Sequence, residues 1–243
     1  MNIELPTEAE PVKVVCGDAL DVLPELPPGA FGAVVTDPPY GTGSMGGGYG
    51  RSHTNIECDE SLATLVAALP AITKSLRKDS WVALFTAVKT RFELEVELVK
   101  FGLAPLGEVV WDKGFPGLGY HIRYAHETVL VRRWGKPCRP AQALLSVFRQ
   151  TSRGETEHPH EKPVALLRKL IAWASCPGDL ILDPFGGSGT TAVAALHEGR
   201  RCLIIEKDPT YCDIIQRRVK AATDDGLFAG AAPEQPGLFD EVA

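Results

Sequence analysis

At 243 residues, 44% of them hydrophobic and 23% charged, the chain has the make-up of a single α/β domain that can bury its core without disulfides or metals. It holds no run of 18 apolar residues, and residues 1–11 carry acids where a signal peptide would carry basic and then apolar residues, so no membrane partner is expected and a cytoplasmic location is. The net charge of -6 argues against a nucleic-acid partner only as a total, because residues 113–153 hold eight basic side chains against one acid, Glu127, which makes this stretch +7 and the remainder -13. The six cysteines, Cys16, Cys58, Cys138, Cys176, Cys202 and Cys212, form no CxxC pair and read as reduced residues, mostly of the core, with no metal site.

In chain order, short β-branched runs alternate with helical periodicity, the pattern of a mostly parallel sheet with helices on both faces. Strands are predicted at 12–15 and 33–36. Residues 41–50, with six glycines, follow the second strand and read as a mobile lid over a site. Leu62, Leu65, Val66, Leu69, Ile72 and Leu76 recur at helical spacing. A strand at 81–85 precedes Thr90 and Glu93, which make a capping box for the next helix. Strands at 108–111 and 128–131 come next, and then Pro163 suits the first turn of a helix whose stripe is Val164, Leu167, Leu170 and Ile171. A strand at 180–183, a short helix at 191–196, a strand at 202–206 and a helix opening at Asp208 and Pro209 bring the strand count to seven. Residues 223–243, rich in Gly, Pro and acids, read as a disordered tail, leaving 1–222 as one domain.

Asp37, Pro38, Pro39 and Tyr40 lie just beyond the second strand, where open α/β sheets place ligands. The prolines fix φ and stiffen the turn. An aromatic amine is a poor nucleophile because its lone pair is delocalised into the ring. The Asp37 carboxylate and the Pro38 carbonyl could each accept one of its N–H groups and draw that pair out of conjugation, with Tyr40 stacking on the base. A stiff turn without chemistry is the plain alternative.

Asp183, Pro184, Phe185, Gly186, Gly187, Ser188, Gly189 and Thr190 also follow a strand and lead into a helix, and the glycines let backbone approach a ligand closely. A carboxylate at Asp183 could hold the ammonium of a methionine moiety. Glu206 lies 20 residues after Gly186, the spacing of a ribose-binding acid in nucleotide-binding βαβ units. The stretch from Gly187 to Ala192 also fits the dinucleotide fingerprint GxGxxG/A, which makes an NAD-binding oxidoreductase the rival reading, although one strand and a tail are too little for a dinucleotide half-domain. Thr190 stands where a phosphate loop would need Lys.

With DPPY at 37–40 ahead of FGGSG at 185–189, the chain resembles the β-class N6-adenine/N4-cytosine DNA methyltransferases over roughly residues 12–222. Gly17-Asp18-Ala19-Leu20 resembles the segment whose acid meets the adenine of S-adenosyl-L-methionine. His158-Pro159-His160-Glu161-Lys162-Pro163 resembles the family's HPTxKP, with His160 in place of Thr. Trp111-Asp112-Lys113 and residues 123–131, with His126-Glu127, resemble later catalytic-domain motifs.

The resemblance implies a seven-stranded, Rossmann-like methyltransferase sheet in circularly permuted order, with the strands at 180–183 and 33–36 side by side. It implies methyl transfer from S-adenosyl-L-methionine to the N6 amino group of adenine in double-stranded DNA, as in restriction–modification; N4 of cytosine is the alternative, and Asp rather than Ser at 37 resembles the adenine-specific members. The implied cofactor set is Asp18, Asp183, Phe185, Gly186, Gly187, Gly189, Thr190, Glu206 and Lys162. The implied DNA-binding set is Lys113, Arg123, Arg132, Arg133, Lys136 and Arg139, with a short recognition segment at 132–157. A homodimer stays open. In the tail, Gln235, Leu238 and Phe239 resemble the QxxLF peptide that docks on the replication sliding clamp.

Overall fold

The structure is a computed structural model, which describes residues 3–39, 62–116, 121–137, 140, 143–150 and 161–224. Tyr40, the glycine-rich 41–50, Arg139, His158, His160, Gln235, Leu238, Phe239 and most of the expected tail lie outside the described residues.

The elements in chain order are β1 (Val12–Cys16), α1 (Ala19–Val22), a 3-10 turn (Leu23–Glu25), β2 (Phe31–Thr36), α2 (Ala63–Ser75), β3 (Leu76–Thr86), α3 (Arg91–Lys100), β4 (Leu103–Asp112), β5 (His126–Trp134), β6 (Val147–Arg149), α4 (Val164–Ala174), β7 (Leu180–Asp183), α5 (Thr190–His197), β8 (Arg201–Glu206) and α6 (Pro209–Asp224). The strands form one sheet in the order β1-β8-β7-β2-β3-β5-β4-β6. The first five in that order are parallel, and β5 runs antiparallel to both β3 and β4. The expected adjacency of β7 and β2 is present, with Ala33 opposite Ile181 and Val34 opposite Leu182.

Every residue of β2 and β7 is buried, as near-continuous apolar runs in a sheet covered on both faces should be. Alternation along β2 sends Val34 to one layer and Ala33 and Val35 to the other. Leu65, Leu69 and Ile72 of α2 and Leu94 and Leu98 of α3 cover the first face. Leu166, Leu167, Leu170 and Ile171 of α4, the apolar run of α5 and Ile215 of α6 cover the second. Among the described residues the glycine turn is followed by α5, β8 and α6.

Several expectations need correction. An eighth strand, β6, joins the edge beside β4, pinned where Trp111 Nε1 donates to the Gln150 carbonyl at 2.8 Å. Strand β3 begins at Leu76, five residues before the predicted start, and α6 runs to Asp224, two residues into the expected tail. The Thr90–Glu93 capping box does not form: Thr90 has helical backbone angles, and its hydroxyl donates to the Ala87 carbonyl instead of accepting from the first turn. Of the four described cysteines, Cys202 and Cys212 are buried and Cys16 and Cys176 exposed. Among the described residues no helix is long and apolar enough to cross a membrane, and no cluster of three His, Cys, Asp or Glu could hold a metal ion.

Candidate active site at the carboxyl edge of the sheet

The parallel strands all end on one edge, and there the two motifs meet. Thr36, the last residue of β2, donates through Oγ1 to Asp183 Oδ1 at 2.7 Å in the buried interior. Asp37 and Pro38 follow directly, so the DPP turn lies beside the start of the glycine turn. Asp183 is 2% exposed and also accepts from the Phe185 N–H at 3.2 Å and from the Thr191 side chain. Burial pushes its carboxyl up to about 7; the Thr191, Thr36 and Phe185 donors oppose the rise and the nearby charge of Asp37 adds to it.

The glycines of the second motif are needed where they stand. Gly186 donates to the Ile205 carbonyl at 2.8 Å, and a Cβ there would come within 2.6 Å of the Ile204 side chain and 3.1 Å of the Ile205 carbonyl. Gly189 caps α5 at φ 82°, and a Cβ on it would meet Ile215 at 2.9 Å. The turn therefore presses against β8 and α6 with no room for side chains. Thr190 starts α5, and its hydroxyl lies 3.2 Å from that of Ser188.

Glu206 ends β8 half-buried, accepting the Gly187 N–H at 2.7 Å and the Asp208 N–H at 2.8 Å. Burial raises its carboxyl; the Asp208, Gly187 and Lys207 N–H groups counter this, and the Asp208 charge reinforces it. A carboxylate has about four lone-pair sites, so these three N–H donors leave capacity for about one further donor, such as a single ribose hydroxyl. Asp18 caps α1 by accepting the Leu20 N–H at 2.9 Å, and Lys207 Nζ lies 3.3 Å from its other oxygen. Gly17 donates to the Glu206 carbonyl at 2.8 Å, which sets Asp18 beside the β8 end. Asp18, Asp183, Phe185, Gly186, Gly187, Gly189, Thr190 and Glu206 are thus brought together.

Lys162, expected in the cofactor set, lies against the DPP turn. Only 7% exposed, it pairs through Nζ with Asp37 Oδ2 and, at 3.2 Å, with Glu127 Oε2. The second oxygen of Glu127 lies 3.3 Å from Lys113 Nζ. Burial disfavours the Lys162 charge, but the carboxylates of Asp37 and Glu127 more than offset it, so the ammonium ends above the usual lysine value. Glu127 behaves in mirror image: burial would raise its carboxyl, and Lys162 and Lys113 together hold it low. Sequence reasoning gave Glu127 no role at the site, although it is the single acid in the basic stretch 113–153. Arg149, which pairs with Asp112 at 2.8 Å on this edge, was likewise not singled out.

The basic set does not stay together. Lys113 and Arg123 flank the ends of β4 and β5 that lie at the carboxyl edge of the sheet, where Asp112 sits opposite His126. Strand β5 then runs away from it, so Arg133, paired with Trp81, lies about 20 Å from Glu127, six residues at ~3.4 Å each. Lys136 follows on the same far edge, its N–H donating to Asp79 Oδ1. Arg132 is withdrawn from the DNA-binding set: it is 2% exposed, and its guanidinium lies 3.3 Å from Glu95 on α3. The segment 132–157 therefore opens as a sheet strand rather than as a recognition loop.

Known proteins resemble this arrangement. A family described as DNA methylase, with N6 and N4 methyltransferases in its name, matches residues 31–217. The methylase-named YubD of Escherichia coli strain K12 is 31% identical over 220 residues, covering 90% of this chain and 95% of its own. Type II methyltransferase M2.DpnII of Streptococcus pneumoniae is 24% identical, covering 87% and 90%. The structure of TTHA0409 of Thermus thermophilus, described as a DNA modification methylase, superimposes with a TM-score of 0.65 at 26% identity, covering 87% of this chain and 94% of that one. A further structure of TTHA0409, at 24% identity, is complexed with S-adenosyl-L-methionine. The match across residues 31–217, reaching from the strand ahead of the DPP turn to the helix behind Glu206, shows that this chain belongs to the DNA methylase family.

Proposed function

We propose that the chain transfers the methyl group of S-adenosyl-L-methionine to the N6 amino group of adenine in double-stranded DNA. The observation that carries this reading is the Thr36–Asp183 bond, which joins the DPP turn to the glycine turn across two neighbouring strands. These residues suit the cofactor chemically: Glu206 has acceptor capacity left for a ribose hydroxyl, the glycine turn packs bare backbone against Ile204 and Ile205 of β8, and buried Asp183 gains from an approaching cation. Asp18, Asp183, Phe185, Gly186, Gly187, Gly189, Thr190 and Glu206 would hold the cofactor, whose sulfonium supplies an electrophilic methyl group.

The target base is extruded from the duplex, since no side chain reaches the amine inside the stack. Asp37 and the Pro38 carbonyl accept its two N–H groups and localise the nitrogen lone pair. Asp37 serves mainly as an acceptor that orients and polarises, because the amine proton becomes acidic only as the new N–C bond forms. Lys113 and Arg123 at the same edge contact phosphates. The preference for adenine rests on Asp at position 37, by resemblance to the adenine-specific members.

The test is to incubate the protein with DNA and labelled cofactor, digest to nucleosides and identify the product by mass spectrometry. N6-methyladenine is expected; N4-methylcytosine would replace the base assignment. Asp37→Ala should abolish transfer with cofactor binding nearly intact, and normal turnover by that variant would remove Asp37 from the mechanism.

A further inference from the structure

Four charged side chains from four separate segments alternate in sign beneath the DPP turn: Asp37 after β2, Lys162 ahead of α4, Glu127 on β5 and Lys113 after β4. Lys162 Nζ also lies 5.4 Å from the centre of the buried Phe85 ring. Such a row is not what stability alone selects. Burying an ammonium costs several kcal/mol, and packed apolar side chains often do as well or better in its place. The residues that follow on α4, Leu166, Leu167, Leu170 and Ile171, fill the adjoining core with hydrocarbon.

The electrostatics of the edge give the row a purpose. Asp37 and Asp183 share this edge; burial raises the Asp183 carboxyl and the Asp37 charge adds a smaller push in the same direction. Two close carboxylates resist joint ionisation, and whichever keeps the proton loses acceptor capacity. The Lys162 ammonium lies against Asp37, while Asp183 is met by the neutral donors Thr36, Thr191 and Phe185. The cation beside Asp37 therefore favours the charged form of that carboxylate.

We propose that Lys162 is a positioning residue for Asp37, itself anchored by Glu127 and Lys113, and that it keeps the carboxylate charged and oriented to grip the target amine. The proposal rests on the reading of Asp37 given above, and it replaces the expectation that Lys162 binds the cofactor. Because Lys113 and Glu127 come from the ends of β4 and β5 at the DNA-facing edge, the row also ties the placement of Asp37 to that edge.

The experiment compares wild type with Lys162→Met, Lys162→Arg and Glu127→Gln in cofactor binding by calorimetry and in kcat and KM across pH. Lys162→Met should lower kcat at least 100-fold at neutral pH while changing cofactor Kd less than threefold, and the acid limb of its residual rate should move to higher pH. Lys162→Arg should recover at least tenfold of the loss, and Glu127→Gln should lower kcat about tenfold. A Kd weakened tenfold or more with kcat unchanged would return Lys162 to the cofactor set and overturn the proposal, as would wild-type kcat in Lys162→Met. A urea-unfolding cycle of Asp37→Asn, Lys162→Met and the double variant reads the pairing without any turnover. The coupling should exceed tenfold in the unfolding constant, and additive effects would overturn it even if the wild type proved inactive on DNA and the functional reading fell separately.

Discussion

The Thr36 hydroxyl donates to Asp183 at 2.7 Å, and so binds the last residue of β2 to the last residue of β7. Each motif is thereby fixed relative to the other before any ligand arrives. Thr36→Val keeps the shape and removes the donor, leaving a fully buried acceptor less satisfied. We expect a loss of ~1–3 kcal/mol of stability by urea unfolding and weaker cofactor binding, with the far-UV spectrum unchanged. Unaltered stability would mean that Thr191 and Phe185 suffice to satisfy Asp183.

Asp183 makes stability depend on pH. Its carboxyl lies at about 7 in the folded chain and near the usual carboxylate value when unfolded. The folded state therefore holds a proton that the unfolded state has already lost. The stabilising contribution is complete below about pH 4 and disappears as pH rises through 7, a change of up to ~4 kcal/mol for a shift of about three units. Relative to Asp183→Asn, the wild type should lose melting temperature between pH 5 and 8. Cofactor affinity should rise over the same interval in the wild type and stay flat in the variant. Parallel melting curves for the two proteins would show that Asp183 is already ionised in the folded chain.

Gly186 and Gly189 fail differently when substituted. Gly186→Ala drives a methyl group into Ile204 and the Ile205 carbonyl, so the turn must move away from β8 and cofactor affinity should fall at least tenfold. Gly189→Ala combines a clash with Ile215 and a left-handed backbone, and should cost ~1–3 kcal/mol in unfolding free energy. Calorimetric titration of the first and thermal melting of the second separate the two effects.

DNA affinity should divide by sheet edge. Removing Arg123 or Arg149, at the catalytic edge, should weaken binding and reduce the salt slope by ~0.9 for each phosphate that is no longer neutralised. Removing Arg133 or Lys136 should leave both unchanged. Fluorescence anisotropy over a salt series decides, and an equal response at both edges would place the duplex across the whole sheet face. Arg132→Glu tests something else: it sets a buried acid beside Glu95 and should unfold the protein rather than report on docking.

Most of the architecture was legible because it rests on periodicity and composition. β2 and β7 read as short apolar runs, α2 and α4 as stripes, and the two motifs announced themselves by proline and glycine. What escaped has physical reasons. β6 is three residues long and mostly exposed, too short for alternation to show, and it exists because the edge of β4 offers free hydrogen-bonding groups. β3 reaches back to Leu76, opposite Phe31, across a register shift that takes in Arg77, Lys78 and Asp79, and neither alternation nor apolar character marks that end. The basic stretch looked like one surface because linear charge counts carry no direction, whereas antiparallel β5 carries Arg133 away from Lys113. The pairing of Lys162 with Asp37 was not legible, since an ion pair between residues so distant in sequence leaves no local trace.

The permuted order of strands also shapes how the protein comes into being. Thr36 leaves the ribosome 147 residues ahead of Asp183, a wait of roughly 7–30 s at ~5–20 residues per second. For that time β2 has no β7 beside it, and an open apolar strand invites pairing with other chains. A nascent chain stopped before residue 180 has Asp37 yet lacks β7 and the glycine turn that lie beside it. Synthesis thus withholds activity until β7 and the glycine turn have been made, and chaperone capture during that interval is the expected price of the arrangement.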